Sequence, residues 1–82
     1  MNLKKIDMPG TGLKLRMLRV GKKLTQRQLA AEIDLTPVLV SNIERGAVNL
    51  TMDNAIRFKQ FYDCNFEDFI ILKDNGKGAD EK

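Results

Sequence analysis

The chain has 82 residues, of which 14 are Lys or Arg and 11 are Asp or Glu, for a net charge of +3. This length is enough for one small domain, in which a deep enclosed active site would be hard to build. The sequence contains no His and one Cys, which excludes a Ser-His-Asp or Cys-His nucleophile, the usual zinc sites and an internal disulfide. We therefore expect neither an enzyme nor a metal or cofactor site.

Residues 1–10 show no periodic pattern and contain Pro9-Gly10, so they are predicted to form an N-terminal arm. The polar, Gly-rich residues 73–82 are predicted to form a flexible tail. The domain itself is expected to span residues 11–72. No internal repeat and no convincing alternating strand is present between the two ends.

The first predicted helix runs from about Thr11 to Lys22. Leu15 and Leu18 share one of its faces. A neighbouring stripe at i, i+4 and i+7 is formed by Leu13, Met17 and Val20.

The second and third predicted helices follow each other closely. Thr25-Gln26-Arg27-Gln28 matches a capping box, which predicts a helix that starts at Thr25, buries Leu29, Ala30 and Ile33, and stops near Asp34. Thr36 is a favourable N-cap and Pro37 suits the first helical position. Val40 and Ile43 then face inward, and Gly46 is predicted to adopt the left-handed conformation just past the helix end.

Two further helices are predicted before the tail. Thr51 or Asp53 caps a fourth helix with an apolar face at Ala55, Phe58 and Tyr62. Asn65 caps a short fifth helix, whose apolar face is Phe66, Phe69 and Ile70. The pattern as a whole predicts a compact all-α domain of five short helices.

The charges are distributed unevenly along the chain. Residues 1–61 hold 11 Lys or Arg and 5 Asp or Glu, a net charge of +6, whereas residues 62–82 hold 3 Lys and 6 Asp or Glu, a net charge of −3. Such asymmetry favours a polyanionic partner for the basic part, although a solvated surface without a partner would have the same composition.

The segment from Thr25 to Gly46 is the most informative one. Two short helices joined by the turn Asp34-Leu35-Thr36 predict a helix-turn-helix, in which the first helix supports the second and the second lies in the major groove of DNA. The ordered residues Thr25-Gln26-x-x-Leu29-Ala30, Leu35-Thr36 and Val40-Ser41-x-Ile43-Glu44-Arg45-Gly46 resemble the phage repressor/Cro-like (XRE) family. Leu18-Arg19 and Asn65-Phe66-Glu67-Asp68-Phe69 also fit this pattern, so the resemblance covers about residues 13–70.

The resemblance implies a five-helix repressor-like fold and a homodimer that binds a palindromic operator on double-stranded DNA. It implies that Gln26 contacts the DNA backbone and supports the recognition helix. It also implies a structural pair between Arg19 and Glu44, with Arg19 left near a phosphate. Dimers of the family often form through the C-terminal region, which here carries more apolar residues than one core face needs: Phe66, Ile70, Ile71 and Leu72.

The recognition helix, residues 36–45, carries the candidate base contacts. Asn42 can bond an adenine through two hydrogen bonds, which is worth roughly 1–3 kcal/mol of discrimination. Pro37, Val38 and Leu39 are three apolar residues in a row, where the family often has polar ones. Thymine methyl groups, packing of Leu39 against the second helix, or a bound protein would each explain them; we favour thymine, and thus A·T-leaning half-sites.

Thr25 and Thr36, with the backbone N–H groups near them, are candidate phosphate contacts because helix N-termini bind anions, and Arg45 at the end of the recognition helix is a further candidate. The residues assigned to this role are Arg19, Thr25, Gln26, Thr36, Ser41 and Arg45. The predicted function is that of a sequence-specific transcription regulator, such as a repressor or small controller protein. The alternative is an antitoxin-like or regulatory module of the same fold whose main partner is a protein.

The sequence predicts no membrane segment. The apolar run at residues 69–72 is far shorter than the about 20 residues of a spanning helix. Lys4-Lys5 is not followed by the apolar stretch of a signal peptide. We therefore expect a cytoplasmic protein.

Overall fold

A computed structural model describes residues 3–75 of the chain. This part contains four α-helices, one 3₁₀-helical turn and a two-stranded antiparallel sheet. The elements in chain order are β1 (Lys4–Ile6), α1 (Met8–Gly21), α2 (Gln26–Ile33), α3 (Pro37–Glu44), α4 (Met52–Tyr62), the 3₁₀ turn (Phe66–Asp68) and β2 (Leu72–Asp74).

One hydrophobic core lies between the four helices. Leu15 of α1, Leu29 of α2, Val40 and Ile43 of α3 and Phe58 of α4 are fully buried in it. The predicted apolar faces of α2, α3 and α4 are therefore confirmed. The helical fold class is also confirmed, whereas the helix count and the exclusion of strands are wrong within the described residues.

Local capping signals explain why α2 and α3 start and stop where predicted. The Thr25 hydroxyl accepts a hydrogen bond from the backbone N–H of Gln28, and the Gln28 side chain accepts one from the N–H of Thr25. The Thr36 hydroxyl caps α3 through the N–H of Leu39. Gly46 follows α3 with a φ of +74°, the left-handed conformation that was predicted for it.

Helix α1 begins three residues earlier than the predicted start at Thr11. Asp7 is its N-cap, since its carboxylate accepts a hydrogen bond from the N–H of Gly10, and Pro9 lies in the first turn. Proline is well tolerated there because that N–H has no helical partner. The prediction of an unstructured arm for residues 1–10 is therefore wrong at two places: residues 4–6 form a strand, and residues 8–10 form the first turn of α1.

The predicted fifth helix is only a 3₁₀ turn. The chain becomes extended after Phe69, and β2 pairs with β1 in the register Lys4 with Asp74, Lys5 with Lys73 and Ile6 with Leu72. β-branched residues such as Ile70 and Ile71 favour extended structure, and the Ile71 carbonyl accepts a hydrogen bond of 2.7 Å from the N–H of Asp7. The C-terminal segment is therefore held against the start of α1.

The predicted tail starts inside the sheet. Lys73 and Asp74 belong to β2, and residues 76–82 lie outside the described residues. Within residues 3–75, no helix is both long enough and apolar enough to cross a membrane.

Candidate nucleic-acid interface

Helices α2 and α3 are joined by a tight turn at residues 34–36. Asp34 adopts the left-handed conformation, with a φ of 60°, and the N–H of Leu35 donates to the carbonyl of Ala30 over 2.9 Å. The Arg57 side chain of α4 donates to the carbonyl of Ile33 over 2.8 Å. These bonds satisfy carbonyls at the end of α2, which fixes where the chain turns toward α3.

A buried carboxylate connects the first three helices. Glu44 of α3 accepts hydrogen bonds from Nε and Nη2 of Arg19 in α1, over 2.8 and 3.0 Å. It also accepts one of 3.0 Å from Nε2 of Gln26 in α2. The Glu44 side chain is only 2% exposed and that of Arg19 only 12%, so the pair is shielded from solvent and fixes the angle of α3 against α1.

The pKa of Arg19 is raised above its ordinary value, chiefly because the guanidinium donates to the Glu44 carboxylate. A third group of this guanidinium, Nη1, donates to the carbonyl of Leu24 over 2.8 Å. Three of the five N–H groups of Arg19 are thus engaged inside the protein, and the other two have no partner among the described residues.

The close approach of α1 to α3 depends on Gly12. A Cβ atom at this position would collide with the carbonyl oxygens of Ile43 and Glu44 at the end of α3. Glycine is required here for space, because no side chain fits between the two backbones.

The face of α3 opposite the core carries Val38, Asn42 and Arg45, which we call the recognition face. These residues follow each other at helical spacing; Val38 is 69% exposed and Arg45 is exposed, whereas Asn42 is half-buried. Nη2 of Arg45 donates to Oδ1 of Asn42 over 2.6 Å. In the free protein, the amide that was predicted to read a base is therefore held by its neighbour, and its NH₂ group remains available as a donor.

The other residues assigned to α3 lie beside this face. Pro37 is exposed at the start of the helix and Ser41 is half-buried. Leu39 is half-buried and packs against the hydrophobic core. Packing therefore explains why Leu39 is apolar. It does not explain why the exposed Pro37 and Val38 are apolar.

Three of the predicted phosphate-binding residues, Thr25, Gln26 and Thr36, lie at the N-termini of α2 and α3, whereas Arg19 is in α1, Ser41 in the second half of α3 and Arg45 at its C-terminal end. Thr25 and Thr36 are the exposed N-caps of these helices. Their hydroxyls accept backbone hydrogen bonds, so a phosphate would be met by the remaining N–H groups and the hydroxyl protons. The side-chain NH₂ group of Gln26 is engaged by Glu44, which makes the residue a support of α3 whatever else it contacts.

Two residues of this region were not singled out from the sequence. Arg27 is exposed in the first turn of α2, where a basic side chain next to Gln26 could have indicated a phosphate contact. Arg57 supports the turn, but a contact between α4 and the end of α2 carries no local sequence signal.

The residues predicted to form a dimer interface lie at the opposite end of the chain. Phe66, Ile70 and Ile71 are half-buried and Leu72 is 56% exposed. The rings of Phe66 and Phe69 meet edge to face, with centroids 6.2 Å apart. Phe66 and Ile70 thus contribute to the core, while Leu72 leaves most of its surface accessible.

Comparison with known proteins assigns the chain to a family. A helix-turn-helix family model matches residues 15–69, which includes α2, α3 and the Arg19–Glu44 pair. Control protein C.BamHI of Bacillus amyloliquefaciens is 43% identical over 44 residues, which are 52% of this chain and 54% of that protein. The match therefore spans about half the length of this curated relative.

Solved structures show the same arrangement of helices. The restriction-modification controller protein C.AhdI from Aeromonas hydrophila is 30% identical, with a TM-score of 0.73 over 78% of this chain and 97% of that chain. PlcR of Bacillus thuringiensis, solved in complex with a peptide and DNA, is 31% identical, with a TM-score of 0.67 over 74% of this chain and 21% of that chain.

Proposed function

The chain belongs to the XRE-type helix-turn-helix family, and from this premise we propose that it is a sequence-specific DNA-binding transcription regulator acting in the cytoplasm. Residues 11–72 are the DNA-binding domain in this proposal, and α3 enters the major groove. The observation that carries it is the recognition face, an exposed helix surface held at a fixed angle by the buried Glu44 network. The controller proteins among its relatives favour the role of a repressor or small controller.

Base recognition is assigned to the start and the exposed face of α3. Asn42 offers an amide that pairs with adenine, and the exposed Val38 offers an apolar surface for a thymine methyl group. Pro37 and the accessible part of Leu39 extend this apolar surface. The combination favours A·T-leaning half-sites.

Phosphate contacts are assigned to Arg45 of the recognition face and to residues around that face. Arg45 is exposed at the end of α3, and its bond to Asn42 positions both side chains before DNA arrives. Thr25, Thr36, Gln26 and Ser41 lie on the same helices, and Arg19 behind them has N–H groups to spare. Contacts of this kind set the register on the duplex but carry no sequence information.

A homodimer would place two recognition helices on successive turns of DNA, about 34 Å apart. The C-terminal residues Phe66, Ile70, Ile71 and Leu72 are the contacts assigned to this dimer, supported by the exposure of Leu72. Two-fold symmetry of the protein would then match a palindromic operator.

The proposal is tested by fluorescence anisotropy with a selected operator and a scrambled duplex at several salt concentrations. We expect affinity to fall steeply as salt rises, because phosphate contacts release counterions. Asn42→Ala should lose roughly 1–3 kcal/mol on the operator and little on the scrambled duplex. Arg45→Ala should weaken binding to both duplexes alike.

Lys5→Ala is a suitable control, since Lys5 is exposed on β1, away from α3. Unchanged affinity in both the Asn42→Ala and Arg45→Ala variants would contradict the proposal. Tight binding that ignores salt would contradict it as well, and would direct attention to a protein partner.

A further inference from the structure

Helix α1 meets the end of α3 at Gly12. A Cβ atom on Gly12 would collide with the carbonyl oxygens of Ile43 and Glu44, so the Cβ direction of Gly12 points at the last turn of α3. At about 100° per residue, the buried Leu15 lies about 60° from this direction on one side, toward the core. The exposed Arg16 lies about 40° from it on the other side, which is open to solvent.

The side chain of Arg16 starts near the end of α3 and is directed toward it. Cβ positions four residues apart on a helix are about 5–6 Å from each other, so the Cβ atom of Arg16 lies one turn away from the point where Gly12 meets α3. Long side chains on a helix lean toward its N-terminus, which directs the Arg16 guanidinium back toward Gly12. Arg16 therefore borders the last turn of α3 on its solvent side.

Arg45 lies on the same side of this helix contact. It follows Glu44, whose side chain points at Arg19 of α1, and it is turned about 100° further around α3, away from the core. Arg45 is exposed, and its bond to Asn42 holds it on the recognition face. Two guanidinium groups, one from α1 and one from α3, therefore border the C-terminal end of the recognition helix.

The acidic groups of the neighbouring elements are already engaged. Glu44 is the one acidic residue of α3, and it is bound to Arg19 and Gln26. Residues 46–51, which follow α3, carry no charge. The acidic groups around the start of α1 are occupied by a helix cap and an ion pair: Asp7 and Asp74. Arg16 takes part in neither of the two ion pairs within residues 3–75, so its charge and that of Arg45 together attract an anion.

We propose that Arg16 contacts a phosphate of the DNA backbone next to the phosphate that Arg45 contacts. The planar guanidinium suits this role, because it binds phosphate through two parallel hydrogen bonds. The inference rests on the proposed function and extends it, since it assigns to α1 a backbone contact at the C-terminal end of α3. The alternative is that Arg16 only stabilises α3 through the partial negative charge at that helix end, which predicts a loss of stability without a change in DNA contacts.

The proposal is tested by comparing Arg16→Ala with Lys14→Ala in DNA binding at several salt concentrations. Both variants remove one positive charge from an exposed position of α1, but Lys14 lies about 160° around the helix from Gly12. Fluorescence anisotropy on the selected operator and on a scrambled duplex gives the slope of log affinity against log salt. Binding is measured at a temperature at which both variants are folded.

Each phosphate contact contributes about 0.9 to this slope, so Arg16→Ala should flatten it by about 0.9 for each bound subunit. Between about 50 and 200 mM salt, the affinity advantage of the unmodified protein over Arg16→Ala should then shrink roughly three- to fourfold per subunit. The change should be the same on both duplexes, because a phosphate contact carries no sequence information. Lys14→Ala should keep the slope of the unmodified protein.

Ethylation interference on the operator locates the contact. Ethylation of one phosphate per half-site should weaken the unmodified protein and Lys14→Ala but not Arg16→Ala, and this phosphate should neighbour the one that Arg45→Ala identifies in the same way. A flattened slope together with this pattern supports the proposal.

The opposite results separate this inference from the proposed function. If Arg16→Ala has the slope and the ethylation pattern of Lys14→Ala, the contact is overturned and the proposed function stands, whether or not urea unfolding shows a loss of stability. If the unmodified protein binds neither duplex, both are overturned.

Discussion

The two faces of α1 differ in what they hold in place. The inner face carries Gly12, Leu15 and Arg19, which pack on α3 and pair with Glu44. The outer face carries Leu13, Met17 and Val20, which are all more than half exposed. One helix thus fixes the angle of α3 on its inner side and leaves an apolar stripe accessible on its outer side.

This difference separates the substitutions that should change stability from those that should not. Substitutions on the inner face should change the free energy of unfolding, since they remove buried contacts. Substitutions on the outer face should leave that free energy nearly unchanged, because the side chains there are more than half exposed. The expected effects below run from the largest to the smallest.

Glu44→Ala should cause the largest loss of stability. It leaves the guanidinium of Arg19 buried without its carboxylate, which costs about 3–5 kcal/mol, a large part of the stability of a small domain. Urea unfolding followed by circular dichroism measures the change. The double variant Arg19→Met/Glu44→Met is the control and should recover much of the loss, because no charge is then stranded; equal losses in both variants would contradict the role of the buried pair.

Tyr62→Phe should stabilise the protein by about 1 kcal/mol, because the Tyr62 hydroxyl is buried without a hydrogen-bond partner in the described residues. Burial, and then the charge of Glu44, raises the pKa of Tyr62. The unfolded phenol ionises near pH 10 while the folded one stays protonated. Stability should therefore fall as pH rises through about 10.

Lysine side chains also lose their protons near this pH. Comparing the unfolding curves of the unmodified protein and Tyr62→Phe at each pH separates the contribution of Tyr62 from that of the lysines. Tyr62 is the chain's only tyrosine, so tyrosinate absorbance reports this group alone. If the Tyr62 phenol of the folded protein ionises near pH 10, as a free phenol does, water reaches its hydroxyl and the predicted fall in stability is contradicted.

Lys23→Gly should give the smallest change. Lys23 follows α1 with a φ of 61°, a conformation that costs a non-glycine residue roughly 1–2 kcal/mol. Glycine removes this strain but loses about 0.5–1 kcal/mol of backbone entropy, which leaves a gain of roughly 0–1.5 kcal/mol in the free energy of unfolding by urea. Lys22→Gly, at the preceding position with a φ of −92°, should not stabilise the protein. If Lys22→Gly raises the free energy of unfolding and Lys23→Gly does not, Lys23 is not strained.

The sequence predicted the helix-turn-helix well because its signals are local. The capping box at Thr25 and the Thr36-Pro37 pair set two helix starts within a few residues. The sheet was missed, since β1 and β2 are three-residue strands almost 70 positions apart. Pairing over such a distance leaves no periodic signal in either strand.

The candidate site was predictable to a similar degree. Helical spacing predicted that Val38, Asn42 and Arg45 face outward. It left open whether Leu39 is exposed or packed, because that residue lies at the border of the two faces. It also did not reveal that Arg45 holds the amide of Asn42 or that Arg57 caps α2, as these depend on side-chain positions in the folded chain.

In vitro selection of bound duplex DNA tests the central proposal most directly. Random duplexes are selected against the unmodified protein and against Asn42→Ala in parallel. We expect two-fold symmetric sites with A·T-leaning half-sites one helical turn apart, and a relaxed preference at one position of each half-site for the variant. Selection that enriches no sequence, or that gives G·C-rich half-sites unchanged by Asn42→Ala, would contradict base reading by this face of α3.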